Sequence, residues 1–395
     1  MTLPDRGSGP LVSMEAIAPP RSAGRLVSPS VESMRAYPPG KLPSELAAEL
    51  GVEASSLLFL AANENVLGPS PRAVEAAARA LATSHLYPDG ASTLLRRALA
   101  ERHGVSPARI VVGNGSNDLI ELLVRTFVGP DEVVATAWPS FVVYRLAAQA
   151  ASRDVVLAPL FRDRLDLAGL ASLVDHRTKV VFVANPNNPT GSYVTALELE
   201  TFLARIPPSV IVVLDEAYRE LVDAPDFADG LPWVARRART VVLRTFSKAY
   251  GLAGLRVGYG VMEEELADYL DRVRQPYNVS HVAQAAALAA LEDEAHLAAT
   301  RALAIQGRAE LERGARQLGL HVIPSQANFV VLQLPIDGDA AQAALRAEGI
   351  LVRAMAAYAM PNAIRVTVGT SAMNARVIAA LGAVLRASGR PTPRT

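Results

Sequence analysis

Short apolar, β-branched runs alternate with helix-spaced stretches through the middle of the chain. Val133 to Thr136, Val155 to Leu157, Val180 to Ala184, Val210 to Leu214 and Thr240 to Arg244 carry little polarity on either face. Strands buried on both sides read this way, and with helical segments between them they predict βαβ units and a mostly parallel sheet. Upstream, Ile110 to Val112 is a short β-branched run leading into Gly113-Asn114-Gly115-Ser116. Leu119, Ile120, Leu122 and Leu123 then fall at helical spacing over Asn117 to Phe127. Pro71 to Ala82, with proline in its first turn, and Leu94 to Arg102, stopped by Gly104, predict two further helices. Glu45 to Leu50 predicts a short one, with Ser44 as a possible cap.

After about residue 283 the pattern changes. Ala283 to Leu318 is alanine-rich and helical in character. Asn328 to Leu334, Ile350 to Val352 and Ala363 to Thr367 are strand-like, with helices near Ala340 to Glu348 and Asn374 to Ala387. The expected organisation is a flexible arm over 1–35, a large domain over 60–282, and a smaller α+β domain from 36–59 and 283–395. The end from Gly389 is expected to fray.

Composition narrows the function. At 395 residues, half of them hydrophobic, the chain can bury a sizeable core in two lobes. A net charge of zero counts against a nucleic-acid partner. The absence of cysteine excludes disulfides, thiolate metal sites and cysteine nucleophiles. The six histidines are scattered without metal-ligand spacing, so no metal is expected. The Pro-, Ser- and Gly-rich start lacks the basic region and long apolar stretch of a secretory signal, and no apolar run reaches membrane-spanning length. A cytoplasmic protein is expected.

The candidate chemistry lies at strand ends, where open α/β sheets bind ligands. Lys248 sits in Thr245-Phe246-Ser247-Lys248-Ala249-Tyr250-Gly251, eight residues before Arg256. An amine able to form a Schiff base, beside a hydroxyl and a guanidinium able to hold phosphate, is what a pyridoxal phosphate site needs. Asp215 ends the run from Val210. It is either a loop acid or helix cap, or a carboxylate paired with a pyridine nitrogen, with Tyr218 near the ring hydroxyl. Asn185-Pro186-Asn187-Asn188-Pro189-Thr190-Gly191 is either a turn-rich loop or a rigid mount for Asn188 against a ligand edge. Gly113 to Asn117, between strand and helix, offers backbone amides to an anion, and with Ser247 and Arg256 makes three donor sets for one phosphate. Phe141 suits either stacking on a flat ring or the core.

These windows together resemble the aspartate-aminotransferase-like, fold type I pyridoxal phosphate enzymes, from about Tyr37 to Thr370. Within that group the chain is most similar to histidinol-phosphate aminotransferases. The residues that carry this are Tyr37-Pro38-Pro39-Gly40-Lys41, Asn63-Glu64-Asn65-Val66-Leu67-Gly68-Pro69, Tyr87-Pro88-Asp89-Gly90, Arg274-Gln275-Pro276-Tyr277-Asn278 and Arg365-Val366-Thr367-Val368-Gly369-Thr370. Val66, Ala354 and Ala359 stand where the family usually has proline, proline and glycine.

The resemblance implies a mostly parallel central sheet in a large domain, plus a smaller α+β domain. It implies Lys248 as the lysine joined to the cofactor, Asp215 as the pyridinium partner, and Tyr218 and Asn188 on the ring hydroxyl. Ser116, Asn117, Ser247 and Arg256 are the implied phosphate cup, and Phe141 a cofactor contact. Tyr87 resembles the tyrosine donated by a neighbouring subunit, which implies a homodimer with shared sites. Arg365 resembles the arginine that grips a substrate carboxylate, and Asn63 lies in a window that meets substrate. Arg353 and Tyr37 resemble residues that meet a substrate phosphate. The implied reaction is ping-pong transfer between glutamate/2-oxoglutarate and imidazole-acetol phosphate/histidinol phosphate. The nearest competitor is an aromatic or other amino-acid aminotransferase on the same scaffold. A decarboxylase and a cofactor-sensing regulator are further removed.

Overall fold

The computed structural model describes residues 26–34 and 43–388. Tyr37, most of the expected arm and the expected frayed end lie outside them. A seven-stranded sheet centres the larger lobe. Its spatial order is Ile110–Gly113, Gly258–Val261, Thr240–Thr245, Ile211–Asp215, Thr178–Ala184, Val133–Trp138, Asp154–Pro159. Neighbours pair in parallel, except that Gly258–Val261 runs antiparallel to both of its partners. The apolar runs read as strands from sequence are therefore the strands observed.

The strands are apolar on both faces because helices cover both. On one face Val212, Leu214 and Val242 pack with Leu99, Leu199, Phe202 and Ala286. On the other, Ile211, Val213 and Leu243 pack with Leu119, Leu123, Tyr144 and Leu270. The parity of the strands sends Asp215 to the second face and Glu216 to the first.

The smaller lobe holds a four-stranded antiparallel sheet, in order Arg353–Ala354, Ala363–Thr367, Phe329–Gln333, His321–Ile323. Leu58–Phe59 pairs in parallel with Ile350–Leu351 beside it. The alanine-rich stretch is two helices, His281–Leu291 and Glu294–Gln317. Asp293 divides them, its carboxylate accepting the His296 N–H at 3.1 Å. Ala283, Ala287 and Ala290 of the first helix and Ala304 of the second pack in the larger lobe's core, whereas Leu311 and Ala315 of the second pack in the smaller lobe's. The second helix thus bridges the lobes, and the core boundary falls within it rather than at residue 283. The early helix spans Pro43–Leu50, so Ser44 lies inside its first turn and does not precede it as a cap.

Residues 29–32 of the expected arm form one helical turn. The Gln149 amide donates to Ser30 O at 3.0 Å and to the Ser33 hydroxyl at 2.9 Å, which fixes this turn against the helix Val143–Ala150. Among the described residues no helix is long and apolar enough to cross a membrane.

His103, beneath the sheet, shares a hydrogen bond between Nε2 and the Tyr259 hydroxyl, 2.8 Å apart. Burial, with help from Arg244 and Arg102, pushes its pKa down to about 4. The unfolded chain, with an ordinary value of about 6.5, takes up a proton that the folded chain refuses. Stability is therefore full above about pH 6.5 and is lost as the pH falls toward 4. His103→Gln, whose amide can still pair with Tyr259 in either direction, should remove about 1–2 kcal/mol of this acid sensitivity at about pH 5. Urea denaturation of both proteins at pH 5 and pH 7 checks it.

Candidate active site

A cavity of about 650 Å³ opens at the carboxyl ends of the parallel strands, closed on its far side by Arg353, Tyr358 and Arg365 of the smaller lobe. Five of the strands each deliver a part. Ile110–Gly113 leads to Ser116 and Asn117, and Val133–Trp138 to Phe141. Thr178–Ala184 leads to Asn188, Ile211–Asp215 ends in Asp215, and Thr240–Thr245 is followed by Ser247 and Lys248. Asn63, Glu64, Tyr144, Tyr218 and Arg256 also line it.

Lys248 is half-buried, with Nζ donating to the carbonyls of Asn63 at 3.1 Å and Ala62 at 3.3 Å. Burial, with Arg365 and Arg256 adding to it against Glu64 and Asp215, lowers its pKa to about 8. A neutral amine is therefore accessible near neutrality.

Asp215 is buried, and burial pushes its pKa up to about 6. Three groups pull it back down: the Tyr144 hydroxyl at 2.7 Å, the Ala217 N–H at 3.2 Å and the charge on Lys248. The Tyr218 hydroxyl accepts from Asn63 Nδ2 at 3.1 Å, leaving its own proton to donate. Burial, opposed by Arg365 and Asn63, lifts the Tyr218 pKa to about 12, so it stays a donor. Asn188 Oδ1 accepts from an end nitrogen of Arg365 at 2.6 Å. A guanidinium has no acceptor, so this contact fixes which way the amide faces and turns its NH₂ elsewhere. Tyr218 and Asn188 thus present two donors.

The anion-binding end is built from backbone. The helix Ser116–Phe127 starts without a side-chain cap, leaving its first amides free for an anion. Gly115 has φ +77°, and a Cβ there would lie 2.5 Å from an end nitrogen of Arg256. Only glycine lets that guanidinium close over the helix start. Arg256 also donates to the Ala253 carbonyl at 2.8 Å and the Ser247 hydroxyl at 3.4 Å. Helix amides, a serine hydroxyl and a fixed cation suit a phosphate.

On the smaller-lobe side, Arg353 and Arg365 are register partners on adjacent strands. The second end nitrogen of Arg365 donates to Ala61 O at 3.0 Å, and its guanidinium lies 5.1 Å over the Phe329 ring. Asn63 adopts φ 57°, and its amide donates to the Thr367 hydroxyl at 3.0 Å.

Of the residues named from sequence, twelve line this one cavity: Asn63, Ser116, Asn117, Phe141, Asn188, Asp215, Tyr218, Ser247, Lys248, Arg256, Arg353 and Arg365. Tyr87 does not. It is 82% exposed and stacks on Tyr277 with centroids 4.7 Å apart. Tyr37 lies outside the described residues. Sequence reasoning missed Tyr144, whose position in an apolar helical run reads as core, although it falls three residues after Phe141 and so shares its face.

A flat, anionic, nitrogen-containing ring fits this donor set end to end. Fold and site together define a pyridoxal-phosphate enzyme with the aspartate-aminotransferase-like architecture. The family described as aminotransferase class I and II matches residues 55–381. The histidinol-phosphate aminotransferase of Anaeromyxobacter sp. (strain Fw109-5) is 52% identical over 92% of this chain and 100% of its own. Histidinol-phosphate aminotransferase 2 of Pseudomonas aeruginosa is 46% identical over 91% of this chain and 98% of its own. The crystal structure of histidinol-phosphate aminotransferase from Sinorhizobium meliloti, in complex with pyridoxal-5'-phosphate, superposes with a TM-score of 0.84 at 30% identity. It covers 93% of this chain and 99% of its own. A Thermus thermophilus aspartate aminotransferase variant, at 24% identity and a TM-score of 0.78 over 92% of this chain and all of its own, shares the fold. The chain belongs to the class I and II aminotransferases and is a pyridoxal-phosphate-dependent enzyme.

Proposed function

We propose that this aminotransferase moves an amino group between glutamate/2-oxoglutarate and imidazole-acetol phosphate/histidinol phosphate in the cytoplasm. The observation that carries the site assignment is the convergence of Lys248, Asp215 and the Ser116–Ser247–Arg256 cup on one cavity. The substrate assignment is supported by the names of the relatives.

Pyridoxal phosphate, when bound, supplies the electron sink that makes the α-proton of an amino acid removable. Ser116, Asn117, Ser247 and Arg256 hold its phosphate, and Phe141 covers its ring. Asp215 faces the ring nitrogen and keeps it protonated. Asn188 and Tyr218 donate to the ring hydroxyl oxygen. Lys248 takes the α-proton as the general base and returns it, its lowered pKa matching the task. Arg365 takes the donor's carboxylate, which outcompetes the neutral Ala61 oxygen it now bonds because a charge-assisted pair is stronger, while its other end nitrogen keeps Asn188 oriented. Asn63 holds Tyr218 in place beside the substrate. Arg353, with Tyr37, meets the substrate phosphate. Tyr87, too exposed to serve its own cavity, reaches the site of a second copy in a homodimer.

The test is a half-reaction on the purified holoenzyme. Histidinol phosphate should bleach the visible band of the bound cofactor, and phenylalanine should not. Bleaching by phenylalanine alone would move the assignment to an aromatic aminotransferase. Arg353→Ala should raise KM for histidinol phosphate by about ten- to a hundredfold while leaving the glutamate half-reaction near wild type. An equal loss with both donors would remove Arg353 from phosphate recognition.

A further inference from the structure

Tyr144 is fully buried beside the cavity, and its hydroxyl donates to Asp215 Oδ2 at 2.7 Å. Two aromatic contacts fix its ring. It lies flat against Phe182, with centroids 4.6 Å apart and planes 6° apart, and edge-on to Phe141 at 5.6 Å. The hydroxyl therefore has one position, set by packing before any ligand arrives. The other carboxylate oxygen accepts the Ala217 N–H at 3.2 Å. These donors use two of the roughly four acceptor positions of a carboxylate. Since Asp215 lines the cavity, the remaining positions are open to a ligand. The titratable groups that face Asp215 are Tyr144 from the helix Val143–Ala150, Lys248 from the loop after Thr240–Thr245, and Tyr218 from the turn after its own strand.

We propose that Tyr144 is a positioning residue for the reaction: its hydroxyl holds Asp215 ionised and aimed at the ring nitrogen of the cofactor. This rests on Asp215 being the ring-nitrogen partner. A carboxylate in an apolar pocket tends to take up a proton. A protonated Asp215 offers the ring nitrogen a neutral neighbour and loses the ion pair. The Tyr144 donor opposes that, and its rigid stack keeps it from following the carboxylate if the latter rotates. Tyr144→Phe removes this donor and preserves both aromatic contacts.

The experiment is cofactor retention by holoenzyme during dialysis from about pH 5.5 to about pH 8.5, for wild type, Tyr144→Phe, Asp215→Asn and the double variant. Losing the donor raises the carboxyl pKa, so the carboxyl stays protonated to higher pH. Tyr144→Phe should weaken retention about tenfold near neutrality and move the acid limb up by about one pH unit. Lys248 titrates in the same range and adds a slope common to wild type and Tyr144→Phe, so the difference between their profiles is read. In the Asp215→Asn background the same change should alter retention by no more than about twofold, because its target is gone.

A Tyr144→Phe profile that overlays wild type while Asp215→Asn releases cofactor would overturn the Tyr144 role and leave Asp215 standing. A loss that is independent of pH, or equal in both backgrounds, would mean that Tyr144 only packs, and would also overturn it. Full retention by Asp215→Asn would instead sink the reading of Asp215 beneath it.

Discussion

Lys248→Ala should lower kcat/KM for transamination by about four orders of magnitude or more, in a protein that still folds. In the proposed mechanism one amine holds the cofactor and moves the proton, so its removal should take both functions at once. Among the described residues no neighbour can substitute. The other cations lining the cavity, Arg256, Arg353 and Arg365, are guanidiniums, which do not lose a proton in the working range. The fold tolerates the change because, among the described residues, Nζ bonds only the carbonyls of Ala62 and Asn63, at the edge of an open cavity. Steady-state kinetics and a thermal melt of the variant check both halves. Partial recovery with added methylamine would show that the missing group is the amine itself. Activity within tenfold of wild type would remove Lys248 from the chemistry.

The parallel strands were legible because burial on both faces leaves no polar alternation. Val180 to Ala184 and Val210 to Leu214 declare themselves by being apolar throughout. The antiparallel strand Gly258–Val261 was not, because two of its four positions are glycine. Packing demands them: a Cβ on Gly258 would lie 2.5 Å from Ser116 N, and one on Gly260 would lie 2.8 Å from the Met262 side chain. The closeness that lets this strand support the phosphate end is what makes it read as loop.

The division of the alanine-rich segment was hidden for a different reason. Alanine favours helix on either side of Asp293, and only the cap geometry separates the two helices. In the site, residues at strand ends were readable because strand, turn and functional group occur together in sequence. Tyr144 was not, because its partner Asp215 is 71 residues away and its own context is hydrophobic.

Beneath the site, on the sheet face opposite Asp215, Glu216 and Arg244 form a buried ion pair. Arg244 donates to Glu216 Oε2 at 2.8 Å and 3.1 Å, and to Asp229 Oδ1 at 3.1 Å. The Gly230 N–H satisfies the other Glu216 oxygen at 2.5 Å. Glu216 is 1% and Arg244 7% exposed, so neither can turn to water if its partner is lost. Glu216 follows Asp215 directly, and Arg244 lies four residues before Lys248, so the pair clamps together the two strand ends that carry Asp215 and Lys248. Arg244→Met should cost about 3–5 kcal/mol, because it leaves a buried carboxylate without its cation. Glu216→Gln should cost less, since the amide keeps an acceptor for Gly230 while Asp229 still faces the arginine. The double variant should be more stable than Arg244→Met alone, because no unpaired charge remains at Glu216. Urea denaturation of the four proteins gives the coupling directly. Simple addition of the two single losses would show that Glu216 and Arg244 contribute independently, and would remove the clamp as the reason Asp215 and Lys248 keep their spacing.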